Sequence, residues 1–407
     1  MEAIALIDGN NFYASCEQII NPNFRKKPLV ILSNNDGCII ARSAEARALK
    51  IKMGAPYFKV KERLSQLNVI VLSSNYSLYG DISKRLMNLL RKYCERMEIY
   101  SIDEAFVSIN RPQDKNLYNW AREVRSFIYQ NLGITITIGI AENKVRAKLA
   151  NKLAKTIPSS AGIFDLGNMA NDGNYLEKVS VDKIWGVGSK TSKWLINKGI
   201  KNAKELQNMD TYQIKKKLGI VGKRIQLELQ GYKCLPIEER RKTKKEIQVS
   251  RSFGNPITRL EDLKQALAIY TIKAAAKMRY QNLQASCITI FARTSHYSNS
   301  VYQKSMQKKL QEATDSTNII LKIILDLAIE IYNPNYKLAK AGVIMQNLTP
   351  SNYRQRTIAN YSYNQRSIKE TNLIKTIDSL NKRFKTEAIS WGITLNQNGW
   401  KMNRCLL

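Results

Sequence analysis

Two adjacent acids, Asp103 and Glu104, sit between apolar runs that each read as a strand: Glu98-Ile99-Tyr100 before them and Ala105-Phe106-Val107-Ser108-Ile109 after. A link this short places both carboxylates at one end of a sheet. A third acid, Asp8, closes another strand-like run, Ala3-Ile4-Ala5-Leu6-Ile7. Three carboxylates at strand ends can hold a pair of divalent cations, and such a pair clamps the attacking and leaving oxygens of a phosphoryl transfer. Hard carboxylate oxygens suit Mg²⁺, which takes its remaining ligands from water and substrate phosphates.

Charge points to the substrate of such chemistry. The 407 residues carry 65 Lys+Arg against 33 Asp+Glu, a net charge of +32. The excess runs from end to end of the chain, so the partner is a polyanion, with nucleic acid first. No apolar run approaches the length needed to span a bilayer, and no basic amphipathic anchor is present. Met1-Glu2-Ala3-Ile4 lacks the basic start of a secretory signal. The six cysteines include no CxxC pair, so neither a zinc site nor a disulfide framework is indicated, and reduced thiols in a cytoplasmic protein are expected. The single histidine, His296, reads as a surface or turn residue.

A chain this long holds two to four domains. Its first half reads as α/β, with strands at 3–7, 28–32, 69–72, 98–100, 105–109 and 134–140, and helices at 43–50, 78–97 and 117–132. The order suggests a split βαβ sheet with helices on one face, and residues 13–76 look like an insertion after its first strand. Residues 144–155 form a basic helix in which Lys144, Arg146, Lys148, Lys152 and Lys155 interleave with Val145, Leu149 and Leu153. From 175 to 235 the texture changes to short helices with glycine turns. Trp185-Gly186-Val187-Gly188-Ser189-Lys190-Thr191 lacks the Gly-Lys-Ser/Thr order of a phosphate-binding Walker loop. It suits either an ordinary helix cap or a helix-hairpin-helix turn that offers backbone N–H groups to a DNA phosphate. Leu218-Gly219-Ile220-Val221-Gly222-Lys223-Arg224 is a candidate second turn. A charged connector follows, then a unit with strands at 286–292 and 342–345 and long helices at 260–282 and 316–332. The polar tail has a helical stretch at 368–385 and ends in a segment holding Trp391 and Trp400.

At this point the chain resembles the Y-family of translesion DNA polymerases, and within it the UmuC-type catalytic subunits of bacterial DNA polymerase V. The matching segments are Asp8–Glu17 and Ser33-Asn34-Asn35-Asp36-Gly37-Cys38. They continue with Ala44-Glu45-Ala46-Arg47, Lys52–Phe58, Ser73-Ser74-Asn75-Tyr76 and Tyr100–Phe106. Gly139–Lys144 and Ser250-Arg251-Ser252-Phe253-Gly254 complete the set. The resemblance covers residues 1–347 closely and the tail loosely. It implies an α+β multidomain fold: a right-hand polymerase with a split βαβ (ferredoxin-like) palm, small fingers, a helical thumb with helix-hairpin-helix turns and an α/β little finger. The expected palm is 1–12 and 77–165, the fingers 13–76, the thumb 170–235, the linker 236–248 and the little finger 249–347. Residues 348–407 would be a tail that docks partners.

The resemblance also implies roles. Asp8, Asp103 and Glu104 would hold two Mg²⁺ ions. Tyr13 stands at the steric gate that excludes ribose, and Arg47 and Lys155 at positions that contact the incoming triphosphate. The activity implied is error-prone, template-directed synthesis past damaged bases in the SOS response. Small residues such as Gly37, Cys38 and Ala41 would press weakly on the nascent pair. Primer-template DNA and deoxynucleoside triphosphates are the implied substrates, and a processed UmuD-type dimer and a RecA filament the implied partners. Two departures stand out. Ala44 occupies a position where some members carry a tyrosine, and Gln355-Arg356-Thr357-Ile358-Ala359 lacks the aromatic end of a peptide that docks on a sliding clamp. From the residues alone, the same acids would also serve a two-metal nuclease, and the basic charge alone a DNA-binding scaffold.

Overall fold

A computed structural model describes residues 2–110, 117–168, 173–239, 243–295, 297–298, 300–352, 368–384 and 388–394. His296, the 355–359 peptide, Trp400, Cys405 and residues 240–242 of the connector lie outside the described residues. The chain forms two compact units. One runs to residue 239 and omits residues 34–36; the other holds the described residues from 243 onward.

The first unit runs β1 (Glu2–Gly9), α1 (Phe12–Ile20), β2 (Leu29–Leu32), β3 (Ile39–Arg42), α2 (Ala44–Ala48), α3 (Tyr57–Gln66), β4 (Ile70–Ser73) and α4 (Tyr76–Leu90). It continues with β5 (Arg96–Ile99), β6 (Glu104–Asn110), α5 (Leu117–Leu132), β7 (Ile136–Ala141), α6 (Lys144–Thr156) and β8 (Ile163–Asp165). Four helices close it: α7 (Gly173–Glu177), α8 (Ser189–Asn197), α9 (Ala203–Asn208) and α10 (Thr211–Leu229). The main sheet has the order β5-β6-β1-β7-β8. Its first four strands are antiparallel in the split βαβ (ferredoxin-like) arrangement, and β8 adds parallel to β7.

Strand β1 sits at the centre and is buried on both faces. Ala3, Ala5 and Ile7 pack with Leu86 of α4 and Val124 and Ile128 of α5. Ile4 and Leu6 point the other way, into a cluster with Leu149 and Leu153 of α6. Period-two alternation therefore splits one apolar run between two cores. Helices on one face were expected; α4 and α5 supply that layer, and α6 covers the second face. The helix expected over 78–97 ends at Leu90, and β5 takes its last part. There Arg96 and Glu98 alternate with Met97, a strand pattern too short to stand out after a long helix. The insertion after β1 forms a small sheet, β3-β2-β4, with a core of Val30, Leu32, Ile39 and Leu64.

The α7–α10 bundle joins the α6 core through Leu176, Leu195, Leu206, Ile214 and Leu229. Glu228 of α10 is fully buried, and its carboxylate accepts from the backbone N–H of Val145 (2.9 Å), Cys234 (3.1 Å) and Leu235 (2.7 Å). It thereby caps the first turn of α6 and ties the bundle to it. Gly186 has φ +87°, and a Cβ there would lie 2.6 Å from the Ile225 side chain, so the turn before α8 requires glycine. Gly219 breaks α10 with φ 66° and ψ −159°, giving a second helix–turn–helix at the candidate site.

The second unit contains β9 (Glu246–Ile257), α11 (Leu260–Tyr280), β10 (Leu283–Arg293), β11 (Gln303–Thr314), α12 (Thr317–Ile331), β12 (Leu338–Pro350) and α13 (Ile368–Phe384). β9 begins inside the segment taken as linker. The sheet order is β11-β10-β12-β9. Helices α11 and α12 cover one face, where Leu267, Ala274 and Ile324 meet Ile288, Ile290 and Val343. On the opposite face the register builds cross-strand rows: Ser250–Gly342–Phe291–Ser305, Gln248–Ile344–Thr289–Gln307 and Ser252–Lys340–Arg293–Gln303. Helix α13 attaches through buried Ile374 and a two-point ion pair of Arg279 with Asp378 at 2.6 and 2.9 Å.

Candidate active site

The register of the main sheet brings the sequence-distant acids together. Asp8 at the end of β1 stands directly opposite Glu104 at the start of β6. The next residue, Gly9, donates its N–H to the carbonyl of Asp103 at 2.9 Å. Between β5 and β6 the turn is closed by two bonds to the Glu104 carbonyl, from the N–H groups of Tyr100 (3.0 Å) and Ser101 (3.1 Å). The Ser101 hydroxyl donates to Asp103 Oδ1 at 2.6 Å and accepts from the N–H of Glu104 at 3.0 Å. Ser101 thus fixes the turn that aims both acids.

Helix α6 supplies the countercharge. Lys155 Nζ lies 2.6 Å from Asp8 Oδ1. Lys148, two turns earlier on the same face, reaches both Glu104 oxygens at 3.2 Å. Its ammonium also lies 4.2 Å from the centre of the Tyr100 ring. Close packing makes this reach possible. A Cβ on Gly139 would fall 2.0 Å from the backbone N of Asn151, so α6 lies against bare β7 backbone. The buried Asn151 side chain bridges the layers, donating to the carbonyls of Thr137 (2.9 Å) and Leu6 (3.2 Å). A cavity of about 320 Å³ results, lined by Asp8, Glu104, Lys148, Lys152, Lys155 and Trp185 among others. The Trp185 indole N–H donates to the Tyr100 hydroxyl at 3.0 Å.

Burial raises the Asp8 carboxyl to about 6; Lys155 opposes the rise, and the charges of Glu104 and Asp103 add to it. Burial also pushes Asp103 up, with Ser101 holding it back and Glu104 adding to the rise. Crowded, desolvated acids of this kind suit a divalent cation, and their oxygen donors fit Mg²⁺. Among the described residues no three acidic, histidine or cysteine side chains converge as a ligand set. Each of Asp8 and Glu104 faces a lysine, and Asp103 faces Ser101.

Tyr13 and Arg47 meet the next turn. Asn11 precedes α1 in a left-handed conformation (φ 48°), and its Oδ1 accepts from Arg47 Nη2 at 2.6 Å. Arg47 is held in α2, whose first turn is capped by buried Ser43, accepting from the N–H of Ala46 at 3.2 Å. Tyr13, on the first turn of α1, is half-buried. Its hydroxyl is pushed up by burial, then by Tyr76 and by the charge of Asp103. The structure therefore brings Asp8, Glu104 and Lys155 to one cavity, with Asp103 on the adjoining turn against Ser101 and Tyr13 and Arg47 around the Asn11 turn. Of the small residues expected beside a nascent pair, Gly37 is exposed and Cys38 half-buried, whereas Ala41 is packed in the core. The sequence named Lys148 and Gly139 without showing their parts in the site. The seven-residue step from Lys148 to Lys155 was the available signal for the first; a backbone approach leaves none for the second.

The sequence model of the impB/mucB/samB family matches residues 7–152, and that of the same family's C-terminal domain matches residues 244–358. The chain is 36% identical over 407 residues to Protein UmuC of Salmonella typhimurium, covering 99% of this chain and 96% of that one. It is 34% identical over 406 residues to Protein MucB of Escherichia coli, with the same coverage. Against DNA polymerase IV 1 of Bacillus subtilis it is 28% identical over 401 residues, covering 96% of this chain and 92% of that one. Among solved structures, a Y-family DNA polymerase chimera of Dbh and Dpo4 superimposes with a TM-score of 0.69 at 24% identity, covering 85% of this chain and 98% of that chain. The insertion ternary complex of Dbh DNA polymerase gives 0.56 at 24% identity, with the same coverage. These superpositions speak for the fold.

Proposed function

This chain belongs to the impB/mucB/samB family and is a DNA-directed DNA polymerase of the Y-family, and from that premise we propose how its residues perform error-prone translesion synthesis in the SOS response. Asp8, Asp103 and Glu104 are the catalytic carboxylates and would hold two Mg²⁺ ions. The observation that carries this is the pairing of Asp8 with Glu104 across β1 and β6, locked by the Gly9–Asp103 hydrogen bond. Bound there, the ions would lower the pKa of a primer 3′-hydroxyl and offset charge on the leaving pyrophosphate.

The chain's own residues prepare that site. Ser101 orients Asp103, while Lys155 and Lys148 balance acids that would otherwise repel. Lys155 lines the same cavity as Asp8 and there offers a point charge to an incoming triphosphate. Arg47, placed by Asn11, offers a planar fork to phosphate oxygens. Tyr13 blocks a ribose 2′-hydroxyl.

We assign the main sheet with α4–α6 to the palm, the β3-β2-β4 unit to the fingers, the α7–α10 bundle to the thumb and the second unit to the little finger. Primer-template DNA contacts the glycine turns of the thumb and the helix-free face of the second sheet. The exposed Gly37 and half-buried Cys38 leave a weak shape test on the nascent pair, which favours tolerance of damaged templates. A processed UmuD-type dimer and a RecA filament are the proposed partners, docking on the second unit and tail; the sliding clamp is a weaker candidate because its peptide match is poor. Among the described residues no helix is long and apolar enough to cross a membrane.

Primer extension over an abasic template, with and without a UmuD-type partner, is the test. Mg²⁺-dependent deoxynucleotide addition, lost in Asp103→Ala, is expected. Primer degradation would instead identify a nuclease, and binding without turnover in the presence of the partner a scaffold.

A further inference from the structure

The side chain proposed to exclude ribose does not stand alone. Tyr13 and Glu17 lie one turn apart on α1, on the same face. They meet Tyr76 and Tyr79, three residues apart on α4. The Tyr13 and Tyr79 rings stack, with centroids 4.3 Å apart and planes 16° from parallel. Tyr76 closes edge-on against both, at 6.1 Å from each. Tyr79 is fully buried, and its hydroxyl donates to Glu17 Oε1 at 2.7 Å. Burial raises the Tyr79 hydroxyl, so it remains a donor throughout the neutral range.

We propose that Glu17 and Tyr79 are positioning residues for sugar selection: Glu17 pins Tyr79, and the Tyr79 ring holds the Tyr13 ring at the height where it meets a ribose hydroxyl. This rests on Tyr13 being the gate. A half-buried tyrosine at the start of a helix has several rotamers, and a gate that swings rejects little. The stack selects one orientation, and the carboxylate fixes the plate on which the ring stacks. The Glu17 carboxylate and the Tyr79 hydroxyl bond to each other and not to the acid cluster. Their loss therefore acts on which sugar enters and leaves the chemical step alone.

The test measures kcat/KM for deoxy- and ribonucleotides in Tyr79→Phe, Glu17→Leu, Glu17→Gln and Tyr13→Ala, with thermal melting of each. Tyr79→Phe and Glu17→Leu should raise ribonucleotide kcat/KM about tenfold and leave the deoxynucleotide value within about twofold. Glu17→Gln keeps an acceptor and should retain discrimination. Tyr13→Ala should open the pocket further, and adding Tyr79→Phe to it should change nothing more. A purely structural role would lower the melting temperature without moving the sugar ratio. If Tyr13→Ala admits ribonucleotides while Tyr79→Phe and Glu17→Leu do not, the positioning role is overturned and the gate stands. If Tyr13→Ala leaves the ratio unchanged, the gate itself is wrong and the positioning role goes with it.

Discussion

The two large sheets of this protein solve opposite problems. The sheet centred on β1 is covered on both faces, and its central strand is buried along nearly its whole length. The sheet centred on β10 is covered by helices on one face only, and its other face carries Arg293, Lys340, Thr289 and Gln307. Enclosure lets the first sheet hold acids in a fixed, desolvated arrangement, where burial and the neighbouring acid charges raise Asp8 and Asp103. Openness lets the second set cations side by side. Arg293 stands directly opposite Lys340, and burial together with the charges of Arg293 and Arg251 pulls the Lys340 ammonium down. Like charges in register oppose folding; an anion laid across the face would reverse the sign. One sheet fixes acids in place; the other leaves like charges facing one another across its strands.

The division breaks most sharply at the acids. Asp103→Ala should lower nucleotide addition by about a thousandfold or more while leaving primer-template affinity within about twofold, measured by single-turnover kinetics and by binding at fixed salt. An equal loss in binding and turnover would mean that the enclosed sheet also supplies most of the grip.

Two glycines compare the sheets by packing. Gly139→Ala pushes a methyl into the backbone of Asn151, which has no side-chain freedom to yield. It should cost about 3 kcal/mol or more, or prevent folding outright. At Gly342 a Cβ would lie 2.4 Å from Ser250 Cβ and 2.7 Å from the Phe291 ring. The ring can rotate away, but Ser250 Cβ moves only with the backbone of edge strand β9, so Gly342→Ala should cost about 2 kcal/mol, less than Gly139→Ala. Similar denaturation midpoints for the two variants would erase the distinction between closed and open sheets.

The same contrast decided what could be read beforehand. Strands β1, β6 and β7 were legible because a sheet covered twice demands an unbroken apolar run. β9 and β11 were not, since Glu246–Ile257 contains Gly254 and Pro256, and Gln303–Thr314 is largely exposed amide and lysine. Such strands are held by the ladder with β12 and β10, a long-range pairing that no local period reports. The placement of the proposed acids was legible because Asp103 and Glu104 are adjacent between two strands and Asp8 closes a third. The grip of Lys148 on Glu104 and the Tyr79–Glu17 brace depend on how helices land against the sheet and on each other, which residue spacing constrains only weakly.

On the open face, Arg293→Gln with Lys340→Gln should weaken duplex binding several-fold and about equally for all sequences. The salt slope should fall by roughly one for each phosphate that is no longer neutralised. The extension rate at saturating DNA should hold. A change confined to certain template sequences would mean that these side chains read bases.

The smallest effect isolates what enclosure costs. The Asp8 carboxyl is raised from an ordinary 3.8 to about 6 by burial. Below about pH 4 it is protonated folded or unfolded and contributes nothing against folding. Between about 4 and 6 the unfolded chain has released the proton and the folded chain retains it, so stability falls as pH rises. Above about 6 the penalty is complete. Asp8→Asn removes the titration. In magnesium-free buffer the variant should match the parent near pH 4 and exceed it by roughly 1–3 kcal/mol at pH 7.5, although it should be inactive. The gap must open with pH. Parallel melting curves across that range would show that the Lys155 pair fully compensates the buried charge, and the enclosed sheet would then hold its acids at no cost.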